Sequence, residues 1–152
     1  MGESGDTKGA LAGLRVIDLC RNVAGPYAAK LLADNGAEVI KLEPPGGDPS
    51  RHFGPFPGGE PHPERSGLFL HLNRGKQSLV VDPASEEGAA TISAFAEKAD
   101  LLLEDQRPGD AAKWGWSYDA LARMNPALVV TSITPFGQTG PYRDYLGSEI
   151  TL

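Results

Sequence analysis

The chain has 152 residues, 40% hydrophobic and 22% charged, which fits one globular domain with a sizeable core. Lys and Arg number 14 against 20 Asp and Glu, a formal charge of −6 without any long basic run, so a nucleic-acid-binding role is not expected. The lone Cys20 excludes an internal disulfide, residues 1–10 read as a loose polar tail rather than a signal or transit peptide, and no apolar stretch approaches the roughly 18 residues of a membrane span, so the expectation is a soluble, cytoplasmic protein.

Residues 14–20, LRVIDLC, are a short apolar run rich in branched side chains, as in a buried strand that ends on a buried Cys20. Gly25-Pro26 then opens a helix, with Gly25 as cap and Pro26 at the first helical position. Tyr27, Ala28, Leu31 and Leu32 form its apolar stripe, and Gly36 stops it. Residues 38–42, EVIKL, are the second strand, and a β-α-β unit this short predicts parallel pairing through a right-handed crossover. Residues 44–66, rich in Pro and carrying Gly46-Gly47 and Gly58-Gly59, predict a long loop, either a lid or a surface excursion. Residues 67–72 are apolar but fit neither periodicity. A third strand follows at 77–82, then a helix led by Ser85, Glu86 and Glu87 with Ala89, Ile92, Phe95 and Ala96 on its buried face. Residues 100–104 are a fourth strand, residues 108–124 two short helical pieces broken near Gly115, and residues 128–133 a fifth strand.

Strands alternating with helices predict an α/β fold with an open, mainly parallel sheet. Ligands of such sheets bind beyond the carboxyl ends of the strands, here the loops 20–25, 43–47, 82–84, 105–109 and 134–140. The first of these, within RNVAGPY, lacks G-x-G-x-x-G, which argues against a nicotinamide enzyme. Its Gly25-Pro26 step reads equally well as an anion-receiving helix start and as a plain tight turn. Lys76 with Arg74, and Arg107 with Lys113, read locally as solvated surface charges, and Asp18 and Asp82 as caps of nearby backbone. His52, His62 and His71 share no metal-ligand spacing, and no G-x-S-x-G elbow is present. Local spacing alone stops at an α/β ligand-binding domain.

Four segments in order go further. Residues 11–51 (LAGLRVIDLCRNVAGPYAAKLLADNGAEVIKLEPPGGDPSR), LNRGKQSLVVD (72–82), ADLLLEDQRPG (99–109) and LVVTSITPFGQTGPY (128–142) closely resemble the opening of family III CoA-transferases, the group of formyl-CoA and carnitine CoA-transferases. Each motif is weak alone; their order and spacing across residues 11–152 carry the resemblance. It implies a Rossmann-like domain, helices on both faces of the sheet, with coenzyme A lying along the strand ends. Coenzyme A or acyl-CoA is then a substrate, with no permanently bound cofactor. The partners are an acyl-CoA, a carboxylic acid and a second chain, since full-length members are homodimers interlocked like rings.

Carried over residue by residue, the resemblance places coenzyme A contacts at Val23 and Ala24, at Val81, Asp82, Ala84, Asp105, Gln106 and Arg107 near the adenosine end, and at Lys113, where a cation meets a phosphate. The chain departs from the family at three points. Glu104, Asp105 and Gln106 stand where E-N-F is usual, Pro44 where a basic residue sometimes follows the strand-two Glu, and Thr134 where some members have Lys. The family's nucleophile is an Asp beyond the GPY segment and the next helix, so residues 11–152 read as the amino-terminal part of the domain without a catalytic residue. Asp144 and Glu149 read as surface or helix-start acids. Related α-methylacyl-CoA racemases use a His before an acid where this chain has Ser148 before Glu149, and a hydroxyl cannot serve as that base, so transferase is favoured over racemase. A coenzyme-binding piece without activity is the third reading.

Overall fold

Val16 and Ile17 sit side by side in the first strand and feed opposite cores, because successive strand side chains point to opposite faces. The computed structural model describes residues 9–147. The expected tail falls almost wholly outside that range, as do Ser148 and Glu149. The described elements run β1 (Arg15–Leu19), α1 (Ala24–Asp34), β2 (Glu38–Glu43), α2 (Gly67–Asn73), β3 (Gln77–Val80), α3 (Glu86–Ala96), β4 (Leu101–Glu104), α4 (Asp110–Lys113), α5 (Tyr118–Met124) and β5 (Val129–Ser132). Two 3₁₀ turns, Pro49–His52 and Pro57–Gly59, lie in the long loop before α2.

The five strands form one sheet in the order β3-β2-β1-β4-β5, every pair parallel. Ile17 lies between Ile40 on β2 and Leu102 on β4, which fixes the central register. On one face Ile17, Leu19, Leu42 and Leu102 pack with Ile92 of α3, with Trp116 just before α5 and with Leu121 of α5. On the other, Val16, Cys20, Val39 and Leu103 pack with Ala29 of α1. Each fully buried Leu or Ile on either face contributes about 2 kcal/mol relative to exposure. The fold is therefore α/β with helices on both faces, as the strand–helix alternation predicts. Gly115, at φ 92°, makes the break between α4 and α5. Among the described residues no helix is long and apolar enough to cross a membrane.

Local details differ from expectation. Helix α1 begins at Ala24 with Val23 as its cap, so Pro26 is the third helical residue. Its missing N–H still falls among the first-turn groups that have no intrahelical partner. The untyped piece at 67–72 is α2, started by Ser66, whose Oγ accepts from Phe69 N–H at 3.1 Å. The long loop is tied down rather than free: Asp48, Ser50 and Ser66 are fully buried, and the Arg51 guanidinium lies 3.6 Å over the Phe69 ring.

Candidate functional site

Since all five strands are parallel, their carboxyl ends share one edge of the sheet. The strand order reverses between β1 and β4, where the following connections run to opposite sides and leave a crevice. A cleft of about 710 Å³ opens there, lined by Arg21, Val23, Ala24 and Gly25 after β1, Asp105 after β4, Ile133 and Thr134 after β5, and Phe53 and Leu68 from the long loop and α2. Helix α1 points its first turn at this cleft, and Val23 caps it without a side-chain hydrogen bond.

Arg21 and Asp105 bridge the crevice. Asp105 Oδ2 accepts from Arg21 N–H at 2.7 Å, and its Oδ1 accepts from Arg21 Nε at 3.2 Å. Burial raises the Asp105 carboxyl above its ordinary range, and the Arg21 guanidinium only partly offsets this. Neighbouring Glu104 is likewise raised by burial. Cys20 is buried as the strand reading predicts, and burial pushes its thiol up, reinforced by Asp18, which leaves it unreactive.

Behind the cleft wall lies a buried ionic cluster. Lys41 Nζ pairs with Asp48 at 2.8 Å and donates to Cys20 O at 2.8 Å. Lys76 Nζ donates to Asp18 Oδ2, Pro26 O and Asn73 Oδ1, at 2.8, 2.8 and 2.9 Å. Glu43 accepts from Arg51 through both oxygens, at 2.7 and 2.8 Å, and from Ser78 Oγ at 2.5 Å. Burial alone would raise the Glu43 carboxyl, but the bonds from Arg51 and Ser78 outweigh it and bring it down to about 2. Asp48 is also lowered: Lys41 overcomes the burial that opposes ionisation. The local reading of Lys76 as solvated is corrected here, since its side chain is 1% exposed and tied to Asp18; Arg74 beside it is exposed. Asp18 does cap backbone, its Oδ1 accepting from Cys20 N–H at 3.0 Å, and Asp82 Oδ1 does the same for Ala84 N–H at 3.0 Å.

The residues singled out from the sequence, apart from Lys113 at the end of α4, lie just past strand ends, but they do not form one site. Val23, Ala24 and Asp105 line the main cleft. Val81 and Gln106 line a recess of about 30 Å³ with Leu19 and Pro83, and Gln106 Nε2 donates to Leu19 O at 3.4 Å. Arg107 borders a groove of about 340 Å³ shared with Asp105 and Gln106. It also borders one of about 280 Å³ beside Trp116, whose indole N–H donates to Pro83 O at 3.0 Å. Asp82, Ala84 and Lys113 are exposed and line none of these cavities. Sequence reading missed Phe53, Leu68 and the cluster around Lys41 and Asp48. One signal was available for the cluster: a Lys inside the apolar run EVIKLE of a covered strand requires a buried partner.

The family model described as CoA-transferase family III matches residues 11–152. Among curated relatives, the succinate–glutarate CoA-transferase of Agrobacterium fabrum is 44% identical over 145 residues, covering 93% of this chain and 36% of that protein. The acetyl-CoA:oxalate CoA-transferase of Acetobacter aceti is 42% identical over 139 residues, covering 91% and 34%. Among solved structures, a CAIB/BAIF family protein from Brucella suis superposes with a TM-score of 0.85 at 38% identity, covering 95% of this chain and 38% of that one. The Rv3272 protein of Mycobacterium tuberculosis superposes with a TM-score of 0.82 at 40% identity, covering 93% and 38%. The chain thus spans about a third of the length of the curated relatives it matches.

Proposed function

The chain belongs to CoA-transferase family III, and from that premise we propose that it supplies the coenzyme-A-binding part of an enzyme that moves CoA between an acyl-CoA and a free carboxylic acid. The observation that carries this reading is the coincidence of the family match with the switch-point cleft, which is lined by the segments after β1, β4 and β5. Val23 and Ala24 meet the pantetheine arm at the helix start. Val81, Asp82, Ala84 and Gln106 frame the adenosine end, and Arg107 and Lys113 stand toward its phosphates.

The chemistry belongs to an Asp carboxylate outside these 152 residues. It attacks the acyl-CoA thioester carbon, expelling CoA thiolate and leaving a mixed anhydride. The thiolate then attacks the aspartyl carbonyl, giving an aspartyl-CoA thioester and releasing the donor acid. The acceptor carboxylate repeats the sequence in reverse, so that a new acyl-CoA leaves and the Asp carboxylate returns. Coenzyme A is a travelling substrate here, with no resident cofactor. The same reading makes the working protein a cytoplasmic homodimer.

Calorimetric titration of this chain with coenzyme A tests the binding half, and a transfer assay with acyl-CoA and free acids tests the rest. Saturable binding without turnover is the expected result for the chain alone. The protein with its nucleophile segment should transfer CoA and accumulate a hydroxylamine-sensitive CoA adduct on one Asp. No saturable binding, or α-proton exchange of the acyl-CoA without an acceptor acid, would overturn the reading.

A further inference from the structure

Four side chains grip the backbone of residues 20–26, the segment that turns from β1 into α1. Lys41 Nζ donates to Cys20 O at 2.8 Å, Asp105 accepts from Arg21 N–H at 2.7 Å, Asp48 Oδ1 accepts from Asn22 N–H at 3.2 Å, and Lys76 Nζ donates to Pro26 O at 2.8 Å. None of these bonds falls on residues 23–25, which face the cleft. Within the gripped segment Asn22 has φ 61°, and it is the sole non-glycine residue with positive φ among those described. An L residue enters that left-handed region only where its surroundings impose it, and Asn does so more readily than most.

Asp48 is the group that meets Asn22. It is fully buried, comes from the loop after β2, and spreads one oxygen over three donors: Asn22 N–H, Ser50 N–H at 2.8 Å and Ser50 Oγ at 2.7 Å. Its other oxygen faces Lys41 at 2.8 Å, and its own N–H donates to Glu43 Oε2 at 2.9 Å. Buried ion pairs add little net stability compared with apolar packing of equal volume. What this pair does supply is direction: Lys41 takes the carbonyl and Asp48 the amide that bracket the turn at Arg21.

We propose that Asp48 is a positioning residue, which through Asn22 N–H holds the β1–α1 turn in its left-handed form and so sets where Val23 and Ala24 stand in the cleft. The link to ligand rests on the coenzyme A reading above; the link to the loop does not.

Two double variants test the role. Lys41→Met with Asp48→Asn removes both charges but keeps an acceptor for Asn22, whereas Lys41→Met with Asp48→Ala removes the acceptor too. Both pairs lose the Lys41 bond to Cys20 O, so the Asn pair is the reference for the amide resonances at residues 22–24 and for coenzyme A affinity. In the Ala pair those resonances should shift while β5 amides stay in place, and coenzyme A affinity should fall about tenfold, the scale of one lost hydrogen bond. Identical resonances and affinities in the two pairs would overturn the proposal. Hydrogen exchange on the unmodified chain gives a test that needs no variant: Asn22 N–H should be protected well above Val23 N–H, and equal exchange would overturn the role. If the unmodified chain takes up no coenzyme A while Asn22 is protected and released in the Ala pair, the positioning role is supported and the coenzyme A reading fails.

Discussion

Gly25 lies so close on Cys20 that a methyl group at position 25 would collide with both its Cβ and its Sγ. The contact seats the first turn of α1 against the end of β1, at the floor of the cleft. Both Cys20 atoms belong to a short, buried side chain, so neither can swing away. Gly25→Ala should therefore destabilise the chain by about 1–3 kcal/mol, read as a lowered denaturation midpoint. Adding Cys20→Ala should not restore it, because the Cys20 Cβ obstructs as well. An unchanged midpoint for Gly25→Ala would contradict this packing.

Asp105 places a negative charge where the coenzyme A reading puts a polyanion, and both its oxygens are engaged by Arg21. Asp105→Asn keeps an acceptor for Arg21 N–H while removing the charge that neutralises the guanidinium. Coenzyme A affinity should rise about threefold at low ionic strength, and the gain should shrink in high salt as screening shortens the reach of Arg21. Calorimetry at two salt concentrations measures it. Weaker binding would mean that Asp105 contacts the ligand directly as an acceptor.

Glu43 predicts a pH dependence of stability. Its folded value of about 2 lies below the ordinary 4.5, so its contribution is complete above about pH 4.5 and drains as pH falls toward 2. The shift corresponds to about 3 kcal/mol at neutral pH. Glu104 and Asp105, raised by burial, act in the opposite sense, since their protonation on acidification favours the folded state. Glu43→Gln should thus lose stability near pH 7, and its deficit against the unmodified chain should close as pH approaches 2. Denaturant melts at pH 7 and in steps below 4.5 would show it; a deficit independent of pH would assign the loss to packing instead.

The sequence discloses what depends on neighbours along the chain. Branched runs such as LRVIDLC and DLLLE mark strands because a doubly covered sheet needs apolar side chains on both faces. Gly115 marks the break between α4 and α5 because only the conformation of one residue is at stake. The buried cluster was hidden for the converse reason. Lys76 finds Asp18 across 58 residues, and nothing in LNRGKQ reveals that partner. The start of α2 was obscured because Ser66 follows a Pro- and Gly-rich stretch in which a lone Ser is unremarkable. Of the candidate site, the residues tied to strand ends could be placed in advance. Phe53 and Leu68 could not, since they reach the cleft only once α2 packs on α1 and the long loop packs on α2.

Lys113 gives the last prediction, because its proposed role depends on charge alone. It is exposed at the final position of α4 and lines none of the cavities described above, so its side chain has little packing to lose. If it meets a coenzyme A phosphate, it does so as a solvated cation, with strength limited by screening. Lys113→Ala should weaken coenzyme A about threefold in low salt and leave the denaturation midpoint unchanged. Near 1 M salt, where the Debye length is about 3 Å, the two proteins should bind alike. Dephospho-coenzyme A separates the phosphates: a penalty that vanishes with this ligand assigns Lys113 to the ribose phosphate, and one that persists assigns it to the diphosphate. Equal affinities in low salt would remove Lys113 from the site and leave Arg107, which borders two grooves at the same edge, as the cation to test next.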